Sequence, residues 1–97
     1  MIAWRVHKGM KWLDNNLPNW WKRINLKSLN IQDQRLCIIG QLYGSIKPRF
    51  SLADYGFDAY SNLVNGELPH YHDMSMECWY LTAEWKRQII LRRQNAS

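Results

Sequence analysis

This chain has little that chemistry or membranes usually require. No apolar run approaches the roughly 18–20 residues of a membrane-spanning helix, so no membrane partner is expected. Lys and Arg are scattered through the first residues with no continuous apolar stretch, so no signal peptide is expected either. There are only two cysteines, Cys37 and Cys78, and no Cys-x-x-Cys pair. Both lie in apolar periodic stretches, which predicts reduced core thiols and a cytoplasmic protein. No Gly-rich phosphate loop is present, since Gly40 and Gly44 are not followed by Lys-Ser/Thr. Neither a helix-turn-helix nor a zinc-finger signature is present. No internal repeat or low-complexity tract occurs.

What is there is apolar and basic. The 97 residues suffice for one domain spanning 1–97, large enough for a core without metal or disulfide staples. Hydrophobic residues make up 46%, which excludes a disordered chain. Six Trp are too many for so small a core to hide, so some Trp surface is expected to remain for a partner. The net charge of +5 is uneven: residues 1–27 carry +5, residues 28–83 carry −3 and residues 84–97 carry +3. A solvated basic face would explain this, and so would an acidic partner.

The periodicity predicts a mainly α fold, with long N- and C-terminal helices around a central helix and an irregular 45–74 segment. Ile2, Val6, Met10, Leu13 and Leu17 recur at helical spacing and predict a helix over 2–16, stopped by Asn15-Asn16. Gly9 weakens that helix by about 1 kcal/mol relative to Ala. Pro18 opens a short second helix bearing Trp20 and Trp21. Residues 24–31 alternate like a strand but have no partner strand, so an extended connector tucked into the core is expected. Asp33 is the expected N-cap of a helix over 34–44, and Ser51 that of a short helix closed by Gly56-Phe57. Ser75 is the expected N-cap of a last helix over 76–94, with Cys78, Leu81, Trp85 and Ile89 inward. The expected core also holds Leu13, Ile24, Leu29, Cys37, Ile39, Leu42 and Phe57.

The stretch Cys37-Ile38-Ile39-Gly40-Gln41-Leu42-Tyr43-Gly44 reads as a buried helix with one small residue for close approach. Gln41 is the polar residue expected to bridge backbone groups of the connector. With Leu13-Asp14, Pro18, Trp20, the Ile24–Ile31 segment, Gly56-Phe57-Asp58 and Leu81-Thr82-Ala83-Glu84-Trp85, it resembles a family of small proteins encoded by phages and prophages. The resemblance covers about Trp12 to Ile90. It implies a fold and a phage-type origin, but no catalytic site. Asn25, Lys27 and Asn30 stand where that family's connector is acidic, and Lys47 and Arg49 follow, so this chain is the more basic.

The sequence predicts no enzyme. A thiol nucleophile would need a histidine beside Cys37 or Cys78, and no spacing supports one. His70, His72, Asp73 and Cys78 are the only residues grouped as metal ligands might be, and no metal or cofactor is expected of them. A non-enzymatic binding protein is expected instead. Its surface would use Arg5, Lys8, Trp21, Lys22 and Arg23, joined by Lys86, Arg87 and Arg93 from the last helix. Trp and Arg are the usual anchors of protein interfaces. A small phage-type protein of this kind is expected to inhibit a host protein or ribonucleoprotein complex in the host cytoplasm, as anti-CRISPR and anti-restriction proteins do. The alternative is nucleic-acid binding, because Trp12, Trp20 and Trp21 interleave with the same cations.

Overall fold

A computed structural model describes residues 2–44, 46, 48, 50–60 and 72–96. Among the described residues, four α-helices and one 3-10 turn follow in order: α1 Ile2–Asn16, α2 Trp20–Arg23, α3 Ile38–Tyr43, the turn Leu52–Tyr55, and α4 His72–Ala96. No strand occurs among the described residues. The long first and last helices flank the short central one, as the periodicity predicts.

The stripe Val6, Met10, Leu13 is the buried face of α1. Asn16 closes the helix by donating from Nδ2 to the Trp12 carbonyl (2.8 Å). The left-handed residue comes later, at Asn19 (φ 66°), and turns the chain into α2. Gly44 and Gly56 both stop their elements in positive-φ conformations, φ 65° and 74°. The N–H of Phe57 then closes back on the Leu52 carbonyl (2.9 Å).

The centre of the core is aromatic. Trp85 of α4 meets Trp20 edge-on at 5.7 Å and stacks on Phe57 at 5.3 Å. Both indoles satisfy their N–H groups, Trp85 on the Gly56 carbonyl (2.6 Å) and Trp20 on the Asp14 carboxylate (2.9 Å). Buried indole donors need such partners. The expected core residues are all buried, Ile24, Leu29, Cys37 and Leu42 included.

Three local expectations are corrected. The central helix does not run over 34–44. Asp33 closes a turn of its own, its carboxylate accepting from the N–H groups of Arg35 (2.8 Å) and Leu36 (3.1 Å). The chain then extends at Cys37 (ψ 173°) and restarts, with the Cys37 sulfur accepting from the Gly40 N–H (3.3 Å) as the N-cap of α3. Second, the last helix begins at His72, ahead of Ser75. Third, the connector is bent rather than extended: the Asn25 side chain accepts from the N–H of Lys27 (3.0 Å) and turns the chain there. Its apolar residues Ile24, Leu29 and Ile31 are nonetheless buried. Of the expected irregular 45–74 segment, residues 45, 47, 49 and 61–71 lie outside the described residues, Lys47, Arg49 and His70 among them.

Candidate functional site

The basic and aromatic residues expected to form one surface divide into two groups. Arg5 is 6% exposed. Its guanidinium donates to the carbonyls of Ala53 (2.9 Å) and Asp58 (2.9 Å), pairs with Glu77 (2.8 Å) and lies 4.1 Å from the centre of the Tyr60 ring. A charge so placed joins α1, the 3-10 turn and α4, and it is not available to a partner. Arg93 donates to the carbonyls of Trp21 (2.9 Å) and Ile24 (2.6 Å), which fastens α2 to α4. Trp21 itself is buried. These three residues hold the fold together.

The other five face solvent in different places. Lys22 and Arg23 end α2, with Lys22 5.3 Å from the Trp21 ring. Lys8 lies over Tyr55 (5.1 Å) in a shallow cleft with Lys11, Trp12 and Asn15. Lys86 of α4 lines a different groove from Lys8, and Arg87 beside it is exposed and pairs with Glu84 (3.5 Å). His72 opens α4, distant in sequence from the expected cationic surface.

The exposed tryptophans are Trp4 (60%) and Trp79 (64%), neither of which was in the expected surface. Trp4 stacks on His7 at 6.0 Å. Trp79 has a richer setting. It lines a groove of about 560 Å³ between α4 and the connector, with Lys27 and Lys86 as the groove's cations and Ser28, Asn30 and Gln32 as its polar wall. The connector is held in place there by the Ile31 N–H, which donates to the Thr82 hydroxyl (3.0 Å). Farther along, Gln41 bridges it as expected, accepting from the Asn25 N–H (2.7 Å) and donating to the Leu36 carbonyl (2.8 Å).

Trp79 also belongs to a longer stripe. Met76, Tyr80, Ile90 and Leu91 are each about half exposed along the same outer face, around Ala83. Trp79 and Tyr80 meet edge-on at 5.1 Å. Helix α4 is thus apolar on two faces, one buried on Cys78, Leu81, Trp85 and Ile89 and one open to solvent. The signal for the outer face was in the sequence, because Met76, Tyr80, Ala83 and Ile90 recur at spacings of four, three and seven, in step with a helix.

Burial pushes the Cys78 thiol up to about 11, with the Asp58 and Glu77 charges adding to it, so its thiolate is scarce at neutral pH. Cys37 is buried and serves as a cap. Among the described residues, no three His, Cys, Asp or Glu side chains gather where a metal ion would be held. None of the helices searched among those residues is long and apolar enough to cross a membrane.

Comparison with protein-family models, curated proteins and solved structures finds no match for this chain.

Proposed function

We propose that this is a non-enzymatic binding protein of phage or mobile-element type. It works by occupying a host protein or ribonucleoprotein complex through the outer face of α4 and the basic groove beside it. The observation that carries the reading is Trp79, largely exposed between Lys27 and Lys86 at one edge of an apolar stripe. A large exposed apolar patch rimmed by polar residues is a mark of an interaction surface. Met76, Ile90 and Leu91 favour a protein partner, since a nucleic acid has no use for aliphatic side chains away from its bases. Inhibition or modulation of a defence complex is the form of activity that the small size and the phage-type resemblance suggest.

Nucleic-acid binding is the second reading. It is favoured by Trp79 alone, a ring for a base to stack on, set between two cations for phosphates.

The test is capture from host lysate, with and without nuclease, using the native chain and the double variant Trp79→Ala, Lys86→Glu. One discrete protein, retained after nuclease and lost with the variant, supports the protein reading. A partner lost on nuclease treatment, with affinity falling steeply with salt, supports nucleic acid instead, because neutralised phosphates release counterions. A partner held equally by the double variant would remove α4 as the working surface.

A further inference from the structure

The outer stripe of α4 is complementary to itself, and we infer that two copies of this chain pair through it, antiparallel, about a two-fold axis beside Ala83. At about 100° per residue, Met76, Tyr80 and Arg87 lie to one side of the line through Ala83, and Trp79, Lys86 and Ile90 to the other. In an antiparallel two-fold pair, residues on the same side meet at equal and opposite heights, and those near the line meet across it. Trp79 is four residues before Ala83 and Lys86 three after it, so each Trp79 meets the partner's Lys86. Tyr80 is three before and Arg87 four after, so each Tyr80 meets the partner's Arg87. Met76 and Ile90, each seven residues away, meet as an apolar pair. Ala83 meets itself, and its small side chain lets the helices approach to the 8–10 Å of ordinary packing.

Cations and rings make a second copy the cover of this face. Each copy offers two rings and two cations in the order that the other copy needs. A cation over a ring is attracted by its quadrupole, more strongly once water is excluded. No acid lies within the stripe: Glu84 stands at its side, accepting from Gln88 (2.7 Å) and, more loosely, from the exposed Arg87 (3.5 Å). Met76, Trp79, Tyr80 and Ile90, each about half exposed or more, are the surface such a pair would bury. The like charges of the two Lys86 residues are about 9 Å apart along the axis, close to the screening length of dilute salt. Pairing should therefore hold or strengthen as salt rises, opposite to binding of an acidic partner. This inference does not rest on the proposed function, but it bears on it: dimer and foreign partner compete for one face.

Sedimentation equilibrium on the native chain, from a few to several hundred micromolar and at low and high salt, tests it. The expected mass rises toward twice the monomer and does not fall with salt. Ala83→Arg places bulk and like charge on the axis at a solvent-exposed site, and should weaken association about tenfold or more with an unchanged melting temperature. Ala83→Cys should cross-link to itself under mild oxidation, since Cys37 and Cys78 are buried. A native chain monomeric throughout, association unaffected by Ala83→Arg, or no cross-link in a chain that sediments as a dimer would overturn the pairing. A monomeric native chain that still captures a partner through Trp79 would leave the proposed function standing.

Discussion

At the residue scale, glycine and cysteine carry meanings that composition hides. Gly9 reads in the sequence as a weak point of a helix. In the fold, a Cβ there would lie 2.2 Å from the Tyr55 carbonyl oxygen and 2.9 Å from the Trp85 ring. The glycine is what lets α1 close on the 3-10 turn and on the central tryptophan. Gly9→Ala should therefore destabilise the protein, although helix propensity alone favours it by about 1 kcal/mol. A lower denaturation midpoint is the expected result, and a higher one would mean that the backbone at Tyr55 yields freely. Cys78 gives a pH prediction. Its thiol is raised from the ordinary 9.0 to about 11, so the folded state holds the proton more tightly than the unfolded one. That contribution is fully present below pH 9.0 and is lost as pH rises toward about 11. Stability measured across that range should fall, and Cys78→Ala should remove that part of the fall while retaining any due to other groups.

At the scale of elements, legibility depended on which force sets each boundary. The span of α1 was readable because an uninterrupted apolar stripe ends at two asparagines. The start of α3 was not, because Asp33 spends its carboxylate on a turn of its own, a competition that side chains of this type commonly offer to helices. The early start of α4 was hidden because Ser75 is also at home inside a helix, and an acid such as Asp73 suits the first turn. The role of Gln41 was readable from a simple requirement: irregular backbone in a core needs hydrogen-bond partners, and one polar residue stood in an apolar run. Gln41→Leu should cost about 1–2 kcal/mol, given a net worth of about 0.5–1.5 kcal/mol per bond and the access of water to part of the site. Hydrogen exchange at Asn25 should rise in this variant ahead of exchange in α1. Equal protection would show that the connector is held by Ile24 and Leu29 instead. Of the residues expected on a basic and aromatic surface, Arg5 and Trp21 are buried and Arg93 is held by backbone carbonyls. Arg5, Trp21 and Arg93 look like surface residues in a one-dimensional reading, and only the path of the chain shows which carbonyls they reach.

At the scale of the whole molecule, α1 and α4 run in the same direction, tied near both ends by ion pairs. Arg5 meets Glu77 near the start of both helices, and Asp14 meets Arg92 near their ends at 2.9 and 3.2 Å. The two ties look alike on paper and should differ in worth. The first is enclosed, with side chains 8% and 18% exposed, and the second is open, at 30% and 43%. Glu77→Ala leaves the Arg5 charge buried with two carbonyls and the Tyr60 ring, takes the acceptor from the Tyr60 N–H, and should cost about 3 kcal/mol, the lower end of the cost of orphaning a buried charge. Asp14→Asn loses an exposed pair worth about 0–1 kcal/mol, and the amide oxygen can still accept from Trp20. At Asp14, desolvation raises the carboxyl, but the bonds from Arg92 and Trp20 and the Arg92 charge together outweigh it and leave it below its ordinary 3.8. A carboxyl lowered in the fold stabilises above its unfolded value and loses that contribution as pH falls through the folded one. The Asp14 tie should thus persist at pH 5 and fade below 3.8. Chemical denaturation of both variants at pH 7 and pH 3 tests the ranking. The Glu77 variant should be much the weaker at pH 7, and the gap between Asp14→Asn and the native chain should narrow as pH falls below 3.8. If Asp14→Asn proved the more damaging at pH 7, the open end of the helix pair would be the one that holds α1 and α4 together.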